Sequence, residues 1–355
     1  MRRYGRQSDS CNRVVADSFP CRYGNCDVMV PNAGFRLPPH LKQIGVNKHR
    51  SGWPFAIEHL KKFHRSDGVL LDDFVERSFQ YPATRQQWRQ PWVGIFHHPP
   101  NLPAWLDPSA PIKTIISTRE FRASLFYLKG AIAMSKYLGD WLHAELGCPV
   151  LVRKHPSEIP RLTFSMERWE TQEKRPIVQI GWYARNHRAI YQLDVPDGFQ
   201  KVRLLQNKSW IAEAMARTDK FSPLRDQPWV GDVDVVRELN NSQYDDLMAS
   251  SVILNQYWDV SASNTVVEAI ARCTPLLVNR HPALVEYLGS EYPLFFDELR
   301  DVRTLLQDSA RIRQGWRYLV EMDKSWLSAS SFAHEVLSFV HDVSTPSAIS
   351  PRHIV

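Results

Sequence analysis

The residues best suited to chemistry in this sequence lie in a short polar run between a strand-like segment and a helix-like segment. Val252–Asn255 has the pattern of a buried strand, and a helix is predicted to begin near Thr265. In a parallel sheet, the loop after the carboxyl end of a strand is where ligands bind. The helix would direct unbonded N–H groups and its positive dipole end at that loop, which favours an anion such as a diphosphate.

Four side chains of this run are candidate ligands for such an anion and the group attached to it. Asn264 and Thr265 can donate hydrogen bonds, and Ser263 precedes them. Glu268 lies one helical turn further on, where it could accept hydrogen bonds from a ribose diol. The spacing of Thr265 and Glu268 is also that of a capping box, which closes a helix end without any ligand. The local sequence leaves both interpretations open.

The segment Asn264–Val278, NTVVEAIARCTPLLV, resembles the donor-binding segment of GT-B glycosyltransferases. It resembles in particular the large retaining, nucleotide-sugar-dependent group (family 4-like). Members of that group carry a glutamate followed at the same spacing by Thr-Pro, here Glu268 and Thr274-Pro275. The resemblance covers residues 90–300. It implies that Glu268 contacts the donor ribose and that the loop before it holds the diphosphate.

The same resemblance gives a phosphate-binding role to the basic residues after the first strand of the second domain. Gly181 ends a predicted strand, Pro176–Gly181, and is followed by Arg185 and Arg188. These two arginines are the candidates for contacting the donor phosphates. Charge-assisted hydrogen bonds from arginine would stabilise a nucleoside diphosphate as it leaves with additional negative charge. The alternative is an exposed basic turn that binds no ligand.

Two further residues complete the candidate catalytic set with Arg185. Members of the family 4-like group usually carry an acidic residue eight positions before the glutamate that contacts the ribose, here Glu268; at that position this chain has Val260. Either the loop contains an extra residue and Asp259 contacts the sugar, or the sugar-contacting acid is absent. His97 follows the predicted strand Trp92–Phe96 and is expected at the cleft, against the sugar or acceptor. In an inverting enzyme it could be the base that deprotonates the acceptor; a histidine that only packs at the strand end is the alternative.

Strand-like and helix-like segments alternate along both halves of the chain, which predicts doubly wound parallel sheets. The predicted fold class is α/β, with two Rossmann-like domains facing a cleft, as the resemblance to GT-B enzymes also implies. We expect an acceptor-side domain over residues 1–170, with a partly irregular arm at 1–45. A nucleotide-sugar-binding domain is expected over 171–330, after a polar linker at Met166–Arg175. Residues 331–355 are predicted to be a helix end and a polar tail.

Composition excludes several classes of protein. The chain has 355 residues, 43% hydrophobic and 23% charged, so it can bury two cores and is not disordered. It has no apolar run of membrane-spanning length and no signal-peptide core, so we expect a cytoplasmic protein without integral membrane association. The five cysteines lack paired spacing and are expected to be reduced thiols rather than zinc ligands. P-loop, GxGxxG and GxSxG motifs are absent.

Together these features predict a hexosyltransferase that moves one sugar from a nucleoside-diphosphate donor to an acceptor hydroxyl, with the retention that the resemblance implies. No metal and no cofactor besides the donor are expected, because backbone and side-chain donors can stabilise the leaving group. The acceptor is open: a glycan, a protein, a small molecule or a nucleic acid. Two alternatives stand beside this prediction. One is a glycosyltransferase-like binding protein without turnover, supported by Val260; the other is a transferase acting on nucleic-acid bases, suggested by the net charge of +6.

Overall fold

The computed structural model describes residues 34–39, 52–107, 109–206 and 208–345. Its secondary structure forms two lobes, each built on one parallel β-sheet. Most of the predicted arm at 1–45, with the thiols of Cys11, Cys21 and Cys26, lies outside the described residues, as does most of the predicted polar tail.

Among the described residues, five strands form the sheet of the first lobe, in the order in which they occur in the chain. They are β1 (Phe35–Arg36), β2 (Val69–Asp72), β3 (Trp92–Phe96), β4 (Leu128–Ala133) and β5 (Val150–Val152). All neighbouring strands are parallel. The helices along this part of the chain are α1 (Trp53–Leu60), a 3-10 turn (Lys61–Phe63), α2 (Val75–Phe79), α3 (Ile112–Ile116), α4 (Arg119–Leu125) and α5 (Lys136–Leu146).

Apolar clusters cover both faces of the first sheet, as a parallel sheet requires. Side chains alternate along the strands, so Leu71 and Val93 face one cluster while Leu70 and Trp92 face the other. The cluster at Leu71 is closed by the last described helix, α14 (Ala329–Ser344), which packs beside α1. The last described helix therefore returns to the first lobe.

Six strands form the sheet of the second lobe, again all parallel. They are β6 (Arg175–Ile180), β7 (Phe199–Leu205), β8 (Asp234–Arg237), β9 (Val252–Asn255), β10 (Leu276–Asn279) and β11 (Phe295–Phe296), in the order β11-β10-β9-β6-β7-β8. The helices are α6 (Met166–Glu170), α7 (Ala189–Gln192), α8 (Ser209–Phe221), α9 (Asn241–Ser250), α10 (Asn264–Arg272), α11 (Pro282–Leu288), α12 (Asp301–Gln307) and α13 (Ser309–Glu321), with a 3-10 turn at Ser325–Leu327. The chain adds β7 and β8 on one side of β6 and then β9, β10 and β11 on the other, so the strand order reverses between β6 and β9. Doubly wound sheets bind ligands at this point.

Both sheets confirm the predicted α/β class, and three elements differ from the sequence-based expectation. α6 occupies the segment predicted as a linker: its Met166 and Trp169, three positions apart, are buried in the core of the second lobe. Glu167 and Arg168 of the segment are exposed on the opposite side of this short helix. α14 joins the first lobe, although among the described residues it follows all the helices of the second lobe. β8 was not predicted: it is a four-residue, mostly exposed strand at the sheet edge, with only two apolar residues.

The loops at the carboxyl ends of the two sheets meet each other. Asn101, after β3, donates its backbone N–H to Asp259, after β9, with an N to Oδ2 distance of 2.6 Å. The hydroxyl oxygens of Ser135, after β4, and Ser261 lie 3.2 Å apart. Parallel sheets present their ligand-binding loops at this edge, so the candidate residues of both lobes are brought to one region.

Candidate functional site

The segments that follow β6 and β9 pair with each other at the point where the second sheet reverses direction. The N–H of Asn186 donates to the carbonyl of Gln256 at 2.7 Å, and the N–H of Trp258 donates to the carbonyl of Ala184 at 3.0 Å. The predicted basic turn and polar loop are thus joined by a short antiparallel bridge. Side chains from both segments converge on the start of α10.

Arg185 extends from this bridge to the first turn of α10. Its Nη1 donates to the carbonyl of Ile180 at 2.5 Å and lies 3.2 Å from Asn255 Oδ1 and 3.4 Å from Thr265 Oγ1. The guanidinium carbon lies 4.8 Å from the ring centroid of Tyr257. Because these contacts hold the guanidinium from several sides, a positive charge is fixed beside the amino end of α10.

Gly181 makes room for this arrangement. Its backbone φ is +78°, in the left-handed region that favours glycine. A Cβ atom at this position would lie 2.7 Å from Nη1 of Arg185. The glycine at the end of β6 is therefore required for the close approach of the guanidinium to the strand end.

Among the described residues, no side chain caps the amino end of α10. The helix begins at Asn264, and the hydroxyl of the N-cap residue Ser263 lies 2.6 Å from the hydroxyl of Tyr257 instead of bonding a helix N–H. The capping box that the sequence offered as an alternative does not form. Thr265 is the second helical residue and Glu268 the fifth, so Glu268 does not occupy the third position that a capping box uses. The first N–H groups and the dipole of α10 point at the loop.

Glu268 lies one turn further along α10, with 4% of its surface exposed. Its carboxylate accepts a hydrogen bond from the hydroxyl of Tyr244 on α9. Burial and the carboxylate of Glu268 raise the pKa of Tyr244 well above its usual value, so the hydroxyl keeps its proton and is the donor. A carboxylate so placed is an acceptor for the hydroxyl groups of a ligand that extends along the helix from its amino end.

Arg188, the second predicted phosphate ligand, is directed to other partners. Its Nε lies 3.0 Å from Oδ1 of Asp219 on α8, and its Nη1 donates to the carbonyl of Arg225 at 2.6 Å. The neighbouring His187 also contacts Asp219, with Nε2 at 2.7 Å from Oδ1. The two arginines of the turn therefore differ in environment, and it is Arg185 that adjoins α10.

Asp259 is buried at the contact between the lobes, with 1% of its surface exposed. Oδ2 accepts the N–H of Asn101, while Oδ1 accepts the N–H of Val260 at 2.9 Å and lies 2.9 Å from Nε2 of His281. Val260 is buried in the apolar core of the second lobe. Both carboxylate oxygens are thus engaged by protein groups, so contact with a sugar would require one of these bonds to be exchanged.

A loop of the first lobe lies against the same region. Leu102 and Leu106, after β3, form a small apolar cluster with Ala184 from the basic turn. Trp105 meets Trp258 edge-on, with ring centroids 5.2 Å apart. The loop after β3 therefore contacts both segments that converge on α10.

His97 lies at the end of β3, as predicted. Its ring stacks on Phe74 with centroids 3.9 Å apart and meets Trp53 edge-on at 4.6 Å. Nε2 lies 3.0 Å from the carbonyl oxygen of Asp73. A carbonyl only accepts, so the hydrogen-bond network assigns the proton to Nε2 and leaves the lone pair on Nδ1. Burial lowers the pKa of His97 well below its usual value, which keeps the ring neutral.

The described residues contain no group of three or more His, Cys, Asp or Glu side chains placed to hold a metal ion. None of the helices in the described ranges combines the length and apolar character that a membrane crossing needs.

Comparison with solved structures identifies the fold. HepE from Anabaena, in complex with UDP and glucose, matches with a TM-score of 0.50 and 13% sequence identity, covering 71% of this chain and 72% of that chain. A mutant of TarM from S. aureus, in complex with Fondaparinux, alpha-GlcNAc-glycerol and UDP, matches with a TM-score of 0.52 and 12% identity. That match covers 81% of this chain, which spans 58% of TarM. The chain has the GT-B fold. No protein-family model and no curated protein matches the sequence.

Within this GT-B fold, most of the predicted donor-binding residues lie in the two segments that meet at the amino end of α10. They are Gly181, Arg185, Ser263, Asn264, Thr265 and Glu268. Arg188 turns to α8, Asp259 joins the lobes, and His97 lies on the first lobe. The roles of all nine residues in binding or catalysis stay predictions.

Two buried charged residues hold the loops of the GT-B fold and were not predicted from the sequence. Glu76 is fully buried, and its Oε1 accepts the backbone N–H groups of both His97 and His98 at 2.7 Å. Arg203 on β7 is fully buried, and its Nη2 donates to the carbonyl of Gly181 at 2.6 Å. An arginine in the otherwise apolar end of a strand was the signal for Arg203. No signal in the sequence pointed to Glu76, since a glutamate in a short helix is usually exposed.

Proposed function

We propose that this chain is a glycosyltransferase that binds a nucleoside-diphosphate sugar and transfers the sugar to an acceptor hydroxyl. The observation that carries the proposal is the convergence of Arg185, Thr265 and the uncapped amino end of α10 where the second sheet reverses direction. A fixed guanidinium and a helix amino end both attract a diphosphate. HepE and TarM, which share the fold, are each in complex with UDP, so UDP is the first nucleotide to test.

The donor would lie along the first turns of α10. Its diphosphate would accept hydrogen bonds from the helix N–H groups and from Arg185, and its ribose would place its hydroxyls at Glu268. The sugar would then point toward the loops of the first lobe, on the side of His97. In this orientation the second lobe would hold the donor and the first lobe the acceptor.

The reaction would break the bond between the anomeric carbon and the β-phosphate oxygen and form a bond from that carbon to the acceptor oxygen, and the proton of the acceptor hydroxyl would pass to the departing diphosphate. Arg185 and the helix end would stabilise the negative charge that develops on the leaving diphosphate. We expect no metal requirement, because these groups supply the charge, and retention of configuration, as the resemblance to the family 4-like group implies. His97, neutral and with a lone pair on Nδ1, would accept a hydrogen bond from a hydroxyl of the sugar or acceptor.

Thermal unfolding in the presence of UDP, GDP, ADP and CDP tests the proposal. A ligand of the folded protein at 100 times its dissociation constant adds about 2.7 kcal/mol to the free energy of unfolding. We expect one of these nucleotides to raise the unfolding temperature, with and without EDTA, and its sugar conjugate to release sugar or transfer it to an added acceptor. If no nucleoside diphosphate stabilises the chain, the proposal is wrong.

A second candidate is a nucleotide-sugar-binding protein without turnover. It is favoured by the engagement of both Asp259 oxygens and by the burial of Val260 at the position of the expected acid. Prolonged incubation with the stabilising nucleotide sugar, followed by NMR, separates the two candidates. Release of free sugar or formation of a glycoside, absent from a sample without protein, excludes the second candidate; tight binding with a donor that stays unaltered when glycan, protein, small-molecule and nucleic-acid acceptors are added excludes the first.

A further inference from the structure

Two neighbouring residues of α9 contact two residues of α10 that lie one turn apart. The hydroxyl of Tyr244 donates to the carboxylate of Glu268, and the carboxylate of Asp245 pairs with Nη2 of Arg272 at 2.8 Å. Arg272 also lies over the ring of Tyr244, with its guanidinium carbon 5.8 Å from the ring centroid. The side chain of Glu268 is therefore held from the neighbouring helix.

The two contacts between α9 and α10 differ in chemistry. Asp245 and Arg272 form a buried pair of opposite charges that joins the two helices. Tyr244 is instead an uncharged hydrogen-bond donor, and its one hydroxyl hydrogen is donated to the carboxylate of Glu268. A tyrosine ring has two side-chain torsions, so a hydroxyl anchored between two helices fixes the direction of the carboxylate at low entropic cost.

The position of Glu268 decides what a fixed carboxylate would recognise. Thr265 begins the turn before it and lies beside Arg185, so a diphosphate bound there would place its ribose at the next turn of the helix. Ribose hydroxyls donate to a carboxylate, and the 2′-hydroxyl is what distinguishes a ribonucleotide from a deoxyribonucleotide. A site that bonds a ligand hydroxyl discriminates against the analogue that lacks it.

We propose that Tyr244 is a positioning residue that orients Glu268 toward the donor ribose and thereby makes the site selective for ribonucleoside over 2′-deoxyribonucleoside diphosphates. This inference rests on the proposed function, because it needs a nucleoside diphosphate at the start of α10. It adds a residue on α9, outside the loops that would hold the phosphates, that sets the specificity of the ribose subsite.

The experiment compares the dissociation constants of UDP, GDP and ADP with those of their 2′-deoxy counterparts by calorimetry, on the full chain. Wild type is expected to prefer the ribonucleotide by about tenfold, the contribution of one hydrogen bond to a charged group. Tyr244→Phe is expected to bring the ratio near one, mainly by weakening the ribonucleotide. Tyr292→Phe is the matched control: Tyr292 is buried in the same lobe, where its hydroxyl accepts the N–H of Leu276 at 2.9 Å. It should lower stability but leave the ratio unchanged.

The outcomes separate this inference from the proposed function. If Glu268→Ala abolishes the preference and Tyr244→Phe retains it, the positioning role of Tyr244 is wrong while the donor site stands. If Tyr292→Phe lowers the ratio as much as Tyr244→Phe does, the effect is a general loss of packing and the inference is again wrong. If none of the nucleoside diphosphates binds wild type, the proposed function fails and the inference fails with it.

Discussion

Asp259 and Asn101 join the two lobes through one hydrogen bond: the backbone N–H of Asn101 donates to Oδ2 of Asp259 at 2.6 Å, across 158 positions of the sequence. The other carboxylate oxygen contacts His281, the N-cap residue of α11. A carboxylate buried among donors from both lobes is well placed to hold them together. The geometry therefore favours a structural role for Asp259 over the sugar contact that the sequence suggested.

Removing the carboxylate of Asp259 should have a larger effect on the stability of the fold than on the binding of the nucleotide-sugar donor. We expect Asp259→Ala to lower the free energy of unfolding by about 3 kcal/mol, because it leaves buried donors without an acceptor. Asp246→Ala is the control: Asp246 is half-exposed and 3.4 Å from Arg168, an ion pair that contributes about 1 kcal/mol or less. Urea unfolding measures both. A stable Asp259→Ala protein with abolished nucleotide-sugar binding would show that Asp259 contacts the ligand instead.

The two arginines of the turn after β6 should differ in their effect on phosphate binding. Arg185→Gln is expected to weaken the binding of UDP by about tenfold to a hundredfold, because the lost hydrogen bonds are charge-assisted and go to phosphate. The binding of uridine, which has no phosphate, should change little. Arg188→Gln, which removes the contact with Asp219, should leave UDP affinity within about threefold and lower thermal stability instead. Calorimetry on both variants decides between them. The reverse pattern would place the diphosphate near α8.

Gly181 should be intolerant of a side chain for a reason specific to its neighbour. Gly181→Ala and Gly147→Ala both put alanine at a positive φ, +78° and +61°, and each should cost about 1 kcal/mol of stability. A Cβ at Gly147 meets no atom within 4 Å, whereas a Cβ at Gly181 would meet Arg185 at 2.7 Å. We therefore expect Gly181→Ala alone to weaken UDP binding, measured by calorimetry. Equal UDP affinity in the two variants would contradict the proposed role of the guanidinium.

Asp72 gives a pH dependence of stability in the acid range. Burial raises the pKa of its carboxyl from 3.8 to about 6 in the folded protein. Between these values the folded chain holds a proton that the unfolded chain has lost, so stability falls as pH rises from about 4 to about 6 and then levels off. The linked change is on the order of 3 kcal/mol.

Urea unfolding at several pH values measures this dependence as the difference between wild type and Asp72→Asn. The variant cannot ionise, so its stability should not fall over this range as that of wild type does. Asp67→Asn is the control, because Asp67 is an exposed acid of the same lobe that pairs with Arg65. It should retain the wild-type profile. Parallel profiles for wild type and Asp72→Asn would show that Asp72 does not carry a raised pKa.

The sequence predicted those parts of the molecule that local pattern determines. The strand Trp92–Phe96 has the predicted bounds, because its apolar run is short and ends at His-His-Pro-Pro. The loop and helix around Thr265 were likewise located by their composition. Contacts between residues distant in the chain were not predictable. Arg185 and Arg188 lie close together in the sequence, and their different environments arise because Arg188 contacts Asp219 on a later helix. The contact of Tyr244 with Glu268 depends in the same way on how α9 packs.

The return of α14 to the first lobe has a consequence for biosynthesis. The buried core residues of the second lobe run from Phe164 to Leu327, so this lobe can complete its packing soon after that stretch has left the ribosome. The cluster on one face of the first sheet needs Phe332, Val336 and Val340 as well. The half of the molecule that is translated first is therefore the half whose core is completed last: on one face of its sheet α1 is already available, but part of that apolar face stays exposed until α14 has been synthesised.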